Sequence, residues 1–189
     1  MPVTTLTPAA AAPVDLGTAK AHLRVEHSDE DGLILDLIDA AAAHVEQRTG
    51  RALVQRGLRL TLDRFDTVIR LPMPPLVQVD EIRYLDTDGV QQVLAASGYL
   101  VDIASTPARI TVAPDADWPD TQAVTGAVEI DYQAGYGNAD AVPLPIKQAI
   151  LLLLGHWYEN REAVITGPIT SELPLAVDSL LAPYRVWYL

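Results

Sequence analysis

The sequence predicts an α+β fold: a helical bundle built from the N- and C-terminal segments, with a mainly antiparallel β-sheet inserted between them. Three observations carry this expectation. Apolar residues recur at helical spacing over residues 29–49 and again over 145–160. Between these stretches, from Val54 to Tyr132, the period drops to two and β-branched residues become frequent. Finally, 189 residues with 49% hydrophobic and 20% charged side chains match an ordinary globular chain that builds its core without staples.

Residues 1–13 are rich in Thr, Ala and Pro and read as a flexible or extended arm. A first helix is expected at about 17–24, with Asp15 or Thr18 placed to cap its free N–H groups. A second is expected at about 29–49. Ser28 stands three residues before Asp31 in an approximate capping box, and Asp29, Glu30 and Asp31 put negative charge at the positive end of the helix dipole. Ile34, Ile38, Ala41 and Val45 then form one stripe, with Leu37 beside it, and Arg48 and Gly50 supply the stop.

In the middle of the chain Leu58, Leu60 and Leu62 alternate with Arg59, Thr61 and Asp63, and Val77 and Val79 alternate with Gln78 and Asp80, the pattern of half-buried strands. Further strands are expected at about 68–71, 82–85, 90–94, 99–102, 109–112 and 127–132. Asp86-Thr87-Asp88-Gly89 supplies a turn, and Pro72, Pro74 and Pro75 mark a break or an edge because they cannot donate to a ladder. The expected organisation is a single domain over residues 14–189, helical at 14–53 and 143–183, with the β insertion at 54–133 and a tail at 184–189.

Pro143 and Pro145 suit a helix entry, after which Ile146, Ile150, Leu153 and Trp157 repeat along one face. Leu151, Leu152, Leu154 and Tyr158 extend the apolar surface nearly all round, so this helix must be buried in the core or between subunits, with Leu153 and Trp157 expected inside. Residues 160–171 read as a loop containing Gly167-Pro168, and a last short helix is expected at about 175–182 before Pro183.

Composition excludes several function classes. The absence of cysteine removes disulfide scaffolds, thiolate metal sites and cysteine nucleophiles. A net charge of −12, from 13 Lys+Arg against 25 Asp+Glu, repels phosphate backbones and argues against a grip on nucleic acid or on an anionic membrane. The longest strongly apolar run, Ala149 to Leu154, is far short of the roughly 18 residues of a membrane span. With neither cysteine nor an export signal, the expected compartment of synthesis is the cytoplasm.

No motif supplies chemistry. Gly135-Tyr136-Gly137 lacks the third glycine and the lysine of a phosphate loop, with Asp140 instead, and reads as a turn. Asp86 with Asp88, and Asp115 with Asp117, lack the spacing and closing Glu of a calcium loop. His22, His27, His44 and His156 show no metal-ligand spacing, and no serine lies in a nucleophile elbow. Catalytic, cofactor-binding and metal residues are therefore expected to be none. The feature left over is the apolar, aromatic C-terminus, where Val177, Leu180, Leu181, Tyr184, Val186, Trp187, Tyr188 and Leu189 crowd around two charges, Asp178 and Arg185. Such a tail either folds back on its own domain or docks on another protein.

Several segments together resemble the head-tail connector (adaptor) proteins of long-tailed phages, including relatives encoded by prophages and gene transfer agents. They are Ala19-Lys20-Ala21-His22-Leu23-Arg24-Val25 followed by Asp29-Glu30-Asp31, then Thr49-Gly50-Arg51-Ala52-Leu53, then Ile150 to Trp157 continuing as Tyr158-Glu159-Asn160-Arg161-Glu162, and finally Leu173-Pro174-Leu175 with Val177-Asp178 and residues 180–185. The resemblance covers both helical ends; the middle is similar mainly in strand pattern. It implies a structural subunit in the neck of a phage or phage-like particle, made in the bacterial cytoplasm and assembled as a ring, commonly of twelve copies. That ring would sit between the portal protein and a stopper or tail-completion protein, with DNA passing through its channel without specific binding. The expected portal-facing residues are Leu180, Leu181, Tyr184, Arg185, Val186, Trp187, Tyr188 and Leu189. Two readings from other classes stay open at this point: a small hydrolytic, carbohydrate-active enzyme using an Asp/Glu pair, and a two-layer binding module of the cell surface.

Overall fold

The computed structural model describes residues 2–161 and 172–187, with no side-chain placement for residues 172–174. Its contacts divide the chain into two compact units, one joining the segment up to Ala10 with Gln55–Tyr136, the other joining Ala11–Val54 with Gly137–Trp187. The expected loop at 160–171 lies almost wholly outside the described residues.

The second unit is helical. Helix α1 (Leu16–Leu23) starts at Asp15, whose carboxylate accepts from the Thr18 N–H at 2.8 Å and the Thr18 hydroxyl at 2.7 Å. It ends at Arg24, which takes a left-handed φ of 59° so that its N–H reaches back to the last carbonyls. Helix α2 (Asp31–Thr49) buries the predicted stripe of Ile34, Ile38, Ala41 and Val45 completely, and Gly50, at φ 71°, ends it by donating to Glu46 O. The expected capping box does not form. Glu30 is the capping residue and makes no side-chain cap bond, Ser28 contributes only its carbonyl to Asp31 N–H, and the Asp31 carboxylate is taken by Lys20 Nζ at 2.6 Å. An ion pair to a neighbouring helix has displaced a local cap.

Helix α3 (Leu144–Glu159) enters through Pro143 and Pro145 and packs against α1, α2 and α4, burying Ile146, Ala149, Ile150, Leu153 and Leu154. Leu151, Leu152 and Trp157 are only half-buried. For Trp157 this corrects the sequence expectation: it lies in the last turn of α3, near the helix end, edge-on to the exposed His44 of α2 with ring centroids 6.0 Å apart. Helix α4 (Glu172–Leu181) begins three residues earlier than expected, buries Val177 and Leu181, and runs into a 3-10 turn at Ala182–Tyr184 that contains Pro183.

The first unit is all β among its described residues apart from a 3-10 turn at Ala96–Gly98. Its strands are β1 (Val3–Thr7), β2 (Arg56–Leu62), β3 (Val68–Arg70), β4 (Leu76–Leu85), β5 (Gln91–Val93), β6 (Tyr99–Asp102), β7 (Arg109–Val112) and β8 (Val128–Ala134). They form two antiparallel sheets rather than the one expected, a five-stranded sheet in the order β1-β2-β8-β4-β5 and a three-stranded sheet in the order β3-β7-β6. The central strand β8 pairs with β2 and β4, and its alternation is clean: Val128, Ile130, Tyr132 and Ala134 are buried together with Leu58, Leu60, Leu62 and Ile82.

Two departures from the sequence reading have simple causes. Segments 77–80 and 82–85 are one strand, β4, whose register shifts between Leu76 and Gln78 and between Val79 and Glu81. Each irregularity resets the in-out phase, which leaves Val77 exposed rather than buried. The expected arm is also partly a strand. Val3–Thr7 pairs antiparallel with β2 as an edge of the sheet, because an open edge of β2 satisfies main-chain groups that an isolated arm would leave to water.

The opposite face of the five-stranded sheet carries a charge ladder. Asp131 accepts from Arg59 Nε at 2.7 Å on one side and from Arg83 at 2.7 Å on the other, and Glu129 lies 3.2 Å from Arg59 and 3.3 Å from Arg83. Burial raises the Asp131 pKa, but the two guanidinium groups outweigh it and hold the carboxyl below its ordinary value. A depressed native pKa contributes stability that is complete above the unfolded value, about pH 4, and is lost as the pH falls through the native one. Replacement Asp131→Asn is therefore expected to destabilise the chain by about 1–3 kcal/mol at pH 7, with the difference from wild type shrinking under acid; a difference independent of pH in urea titrations contradicts it.

Core packing is tested in the other unit. Ile150→Ala or Leu154→Ala, at fully buried positions of α3, is expected to cost about 2–5 kcal/mol in equilibrium denaturation. Leu144→Ala, 78% exposed on the same helix, should stay within about 0.5 kcal/mol.

Candidate functional site

The segment singled out by its composition, the C-terminus, is held by the turn that follows α2. Thr49 is fully buried, with its hydroxyl donating to Val45 O at 2.7 Å, and its own carbonyl accepts from Val186 N–H at 2.8 Å. Arg51 Nε donates to Tyr184 O at 2.5 Å. Arg48 makes a bidentate pair with Asp178, at 2.9–3.0 Å, and Arg185 approaches the same carboxylate at 3.7 Å. Beneath this, Ala52 and Leu53 are fully buried and Leu53 N–H donates to Glu46 Oε1 at 2.9 Å. The run Thr49-Gly50-Arg51-Ala52-Leu53 is thus a cradle: the left-handed glycine turns the chain, the alanine and leucine fill the core, and threonine and arginine hold the tail by its main chain.

Each residue expected to face a partner can now be placed. Leu181 is fully buried and packs in the core of its own helical unit. Leu180, Tyr184, Arg185 and Val186 are half-buried, and Trp187 is 72% exposed. Tyr188 and Leu189 lie outside the described residues. Up to Val186 the tail lies against its own unit, and the exposed indole is the large apolar group it presents. Arg48 and Arg51, which anchor it, were legible in the sequence only as a helix stop and as part of a resemblance.

A second cluster joins the remaining segments. Glu30, at the head of α2, accepts from the Tyr158 hydroxyl and from Arg161 at 2.7 Å, while the Arg161 guanidinium lies 4.8 Å from the Tyr158 ring centroid. The Tyr158 and Arg161 bonds lower the Glu30 pKa, and the bond to Glu30 raises those of Tyr158 and Arg161. With Lys20 on the adjacent Asp31, the α1 end, the α2 start and the α3 end are tied together by side chains.

Several further carboxylates serve structural contacts. Among the described residues, Asp15, Glu30, Asp86, Asp102 and Asp131 are held below the ordinary carboxylate range, whereas a glycosidase-type general acid needs a raised pKa. Asp86 is spent on its turn, accepting from Asp88 N–H, Val90 N–H and the Gln92 amide. Asp102, brought down to about 2 by the Ser105 hydroxyl and then by Arg109, locks the loop between β6 and β7. Gly135 and Gly137 have φ values of 128° and 114°, and Gly135 N–H donates to Pro75 O, as a turn requires. Among the described residues no cluster of His, Asp or Glu could hold a metal ion, and no helix is long and apolar enough to cross a membrane. The open depression lined by Asp63, Arg64 and Thr121–Thr125 has its carboxylate engaged by Gly126 N–H.

Comparison with known proteins gives the class. Residues 13–82 match the Phage gp6-like head-tail connector protein family. Three solved structures align with the whole of this chain and with 97% of their own. One, the neck of an empty gene transfer agent (GTA) particle computed with C6 symmetry, has 31% identity and a TM-score of 0.81. The neck of a native GTA particle computed with C12 symmetry has 29% identity and a TM-score of 0.77, and the virion of a native GTA particle 28% and 0.80. No curated protein matches the chain in sequence. The chain belongs to the head-tail connector family, whose members are structural proteins of the particle neck and not enzymes.

The cradle predicts a local effect. Arg51→Ala should raise hydrogen exchange at the Val186 amide about tenfold, equivalent to ~1.4 kcal/mol of local stability, with core amides of α3 unchanged. Exchange at Val186 that stays at the wild-type rate would mean that the tail is held by other contacts.

Proposed function

We propose that the chain forms a ring of copies, twelve in number, between the portal and the tail of a phage or phage-like particle, and that this ring extends the channel through which DNA passes. The observation that carries the reading is the end-to-end similarity to neck proteins of particles computed with C6 and C12 symmetry. The half-buried Leu151, Leu152 and Trp157 of α3 support it, since a lone subunit leaves them part-wetted and a neighbour would cover them. Net charge supports it too: a chain at −12 repels the DNA backbone, which suits a conduit that must not bind its cargo.

Portal attachment is assigned to the end of the tail. Trp187 is the anchor, Tyr184, Arg185 and Val186 position it, and Leu180 flanks it, with Tyr188 and Leu189 continuing the same apolar segment. A stopper or tail-completion protein takes the opposite side of the ring. A tryptophan so exposed contributes little to the fold and is available as a binding hot spot.

Trp187→Ala is expected to leave the melting temperature of the isolated chain unchanged and to weaken association with portal-bearing capsids by about 30-fold or more, the equivalent of ~2 kcal/mol. Co-sedimentation against capsids with and without portal measures it. Undiminished binding, or an equal loss of thermal stability, would remove the tail from the portal contact.

A further inference from the structure

Both open edges of the five-stranded sheet are uncharged, in a chain whose interior strands are heavily charged. Residues 2–14, which include β1, carry no charged side chain, and neither do residues 89–101, which include β5. The strands between them present Arg59, Glu81, Arg83, Glu129 and Asp131 on the outer face. Proteins commonly protect exposed edges with charge, prolines, bulges or shortness; here charge is missing, and the protection is limited to the three-residue length of β5 and to Pro2, Pro8 and a register shift at β1. The edges are also exposed: Leu6 at 46%, Val90 at 54% and Val93 at 60%.

The main-chain phase at each edge follows from the ladder. Thr61 N–H donates to Pro2 O, which puts residues 2 and 4 in the bonded phase with β2 and turns the main-chain groups of Val3 and Thr5 outward. On the other side Asp86 N–H donates to Val90 O and Leu94 N–H to Ile82 O, so Gln92 bonds β4 while Gln91 and Val93 face outward. Two residues at each edge therefore offer N–H and C=O groups with no partner in the sheet.

We infer that these edges join neighbouring copies of this chain, β5 of one copy pairing with β1 of the next. This rests on the ring reading above. The pairing is parallel: with antiparallel neighbours throughout the order β1-β2-β8-β4-β5, the two edge strands point the same way, and rotation about a ring axis keeps that direction from copy to copy. Contact between two different edges is head-to-tail and closes only as a ring, whereas β1 with β1 or β5 with β5 would be antiparallel and stop at a dimer.

The absence of cysteine makes the test direct. Full-length chain carrying Thr5→Cys combined in turn with Gln91→Cys, Gln92→Cys or Val93→Cys, all at exposed positions, is assembled into particles and oxidised. A disulfide needs Cα atoms about 4.4–6.8 Å apart, so β5 pairing along its length brings one of the three into range. The expected result is a ladder of trimers and larger multimers on a non-reducing denaturing gel for a double variant, with each single variant stopping at monomer or dimer. Particles that hold the chain in the neck but give no multimer beyond the dimer overturn the edge pairing and leave the ring reading standing. Particles whose neck lacks the chain overturn both.

Discussion

A helix that is apolar nearly all round cannot stand in water, and the burial of α3 is the constraint from which the helical unit follows. Ile146, Ala149, Ile150, Leu153 and Leu154 need partners on more than one side, and α2 supplies the Ile34, Ile38, Ala41 and Val45 stripe while α4 supplies Val177 and Leu181. Once α3 lies there, its last turn brings Tyr158 to Glu30 and the residues just past it bring Arg161, while α4 brings Asp178 to Arg48. The polar contacts follow the packing. Most are exposed or half-exposed pairs of the kind that contribute little to stability by themselves, and their effect is to set which segment ends meet.

The same logic accounts for the carboxylates. Each lowered carboxylate has a structural duty: capping α1 at Asp15, tying helix ends at Glu30, closing turns at Asp86 and Asp102, bridging strands at Asp131. A group held ionised by such partners is a poor proton donor at neutral pH. A neck subunit needs surfaces and stiffness, and these five carboxylates serve stiffness.

Much of the helical unit was legible in the sequence because helical periodicity is a local signal. The stripe of α2, its glycine stop, the proline entry of α3 and the Asp15 cap all follow from residues close in the chain. What the sequence hid depends on residues far apart. Asp31 abandons Ser28 for Lys20, Trp157 stays half-buried beside His44, Leu181 turns into the core, and the tail finds Thr49 and Arg51 more than 130 positions away. In the β unit the alternation of β2 and β8 was readable, but the irregularities in β4 and the recruitment of Val3–Thr7 depend on partner strands that no local pattern names. The candidate site was visible as an apolar chain end; its cradle was visible only as the run Thr49 to Leu53, without the reason for it.

A cryo-EM reconstruction of the neck of particles assembled with this chain shows whether it is a structural subunit there. The expected result is a cyclic ring at the head-tail junction into which both compact units fit, each α3 packed on its own α1, α2 and α4 with Leu151, Leu152 and Trp157 turned to a neighbouring copy. A neck whose density leaves no place for these units, or the chain found instead on the capsid shell or the tail tip, would contradict it.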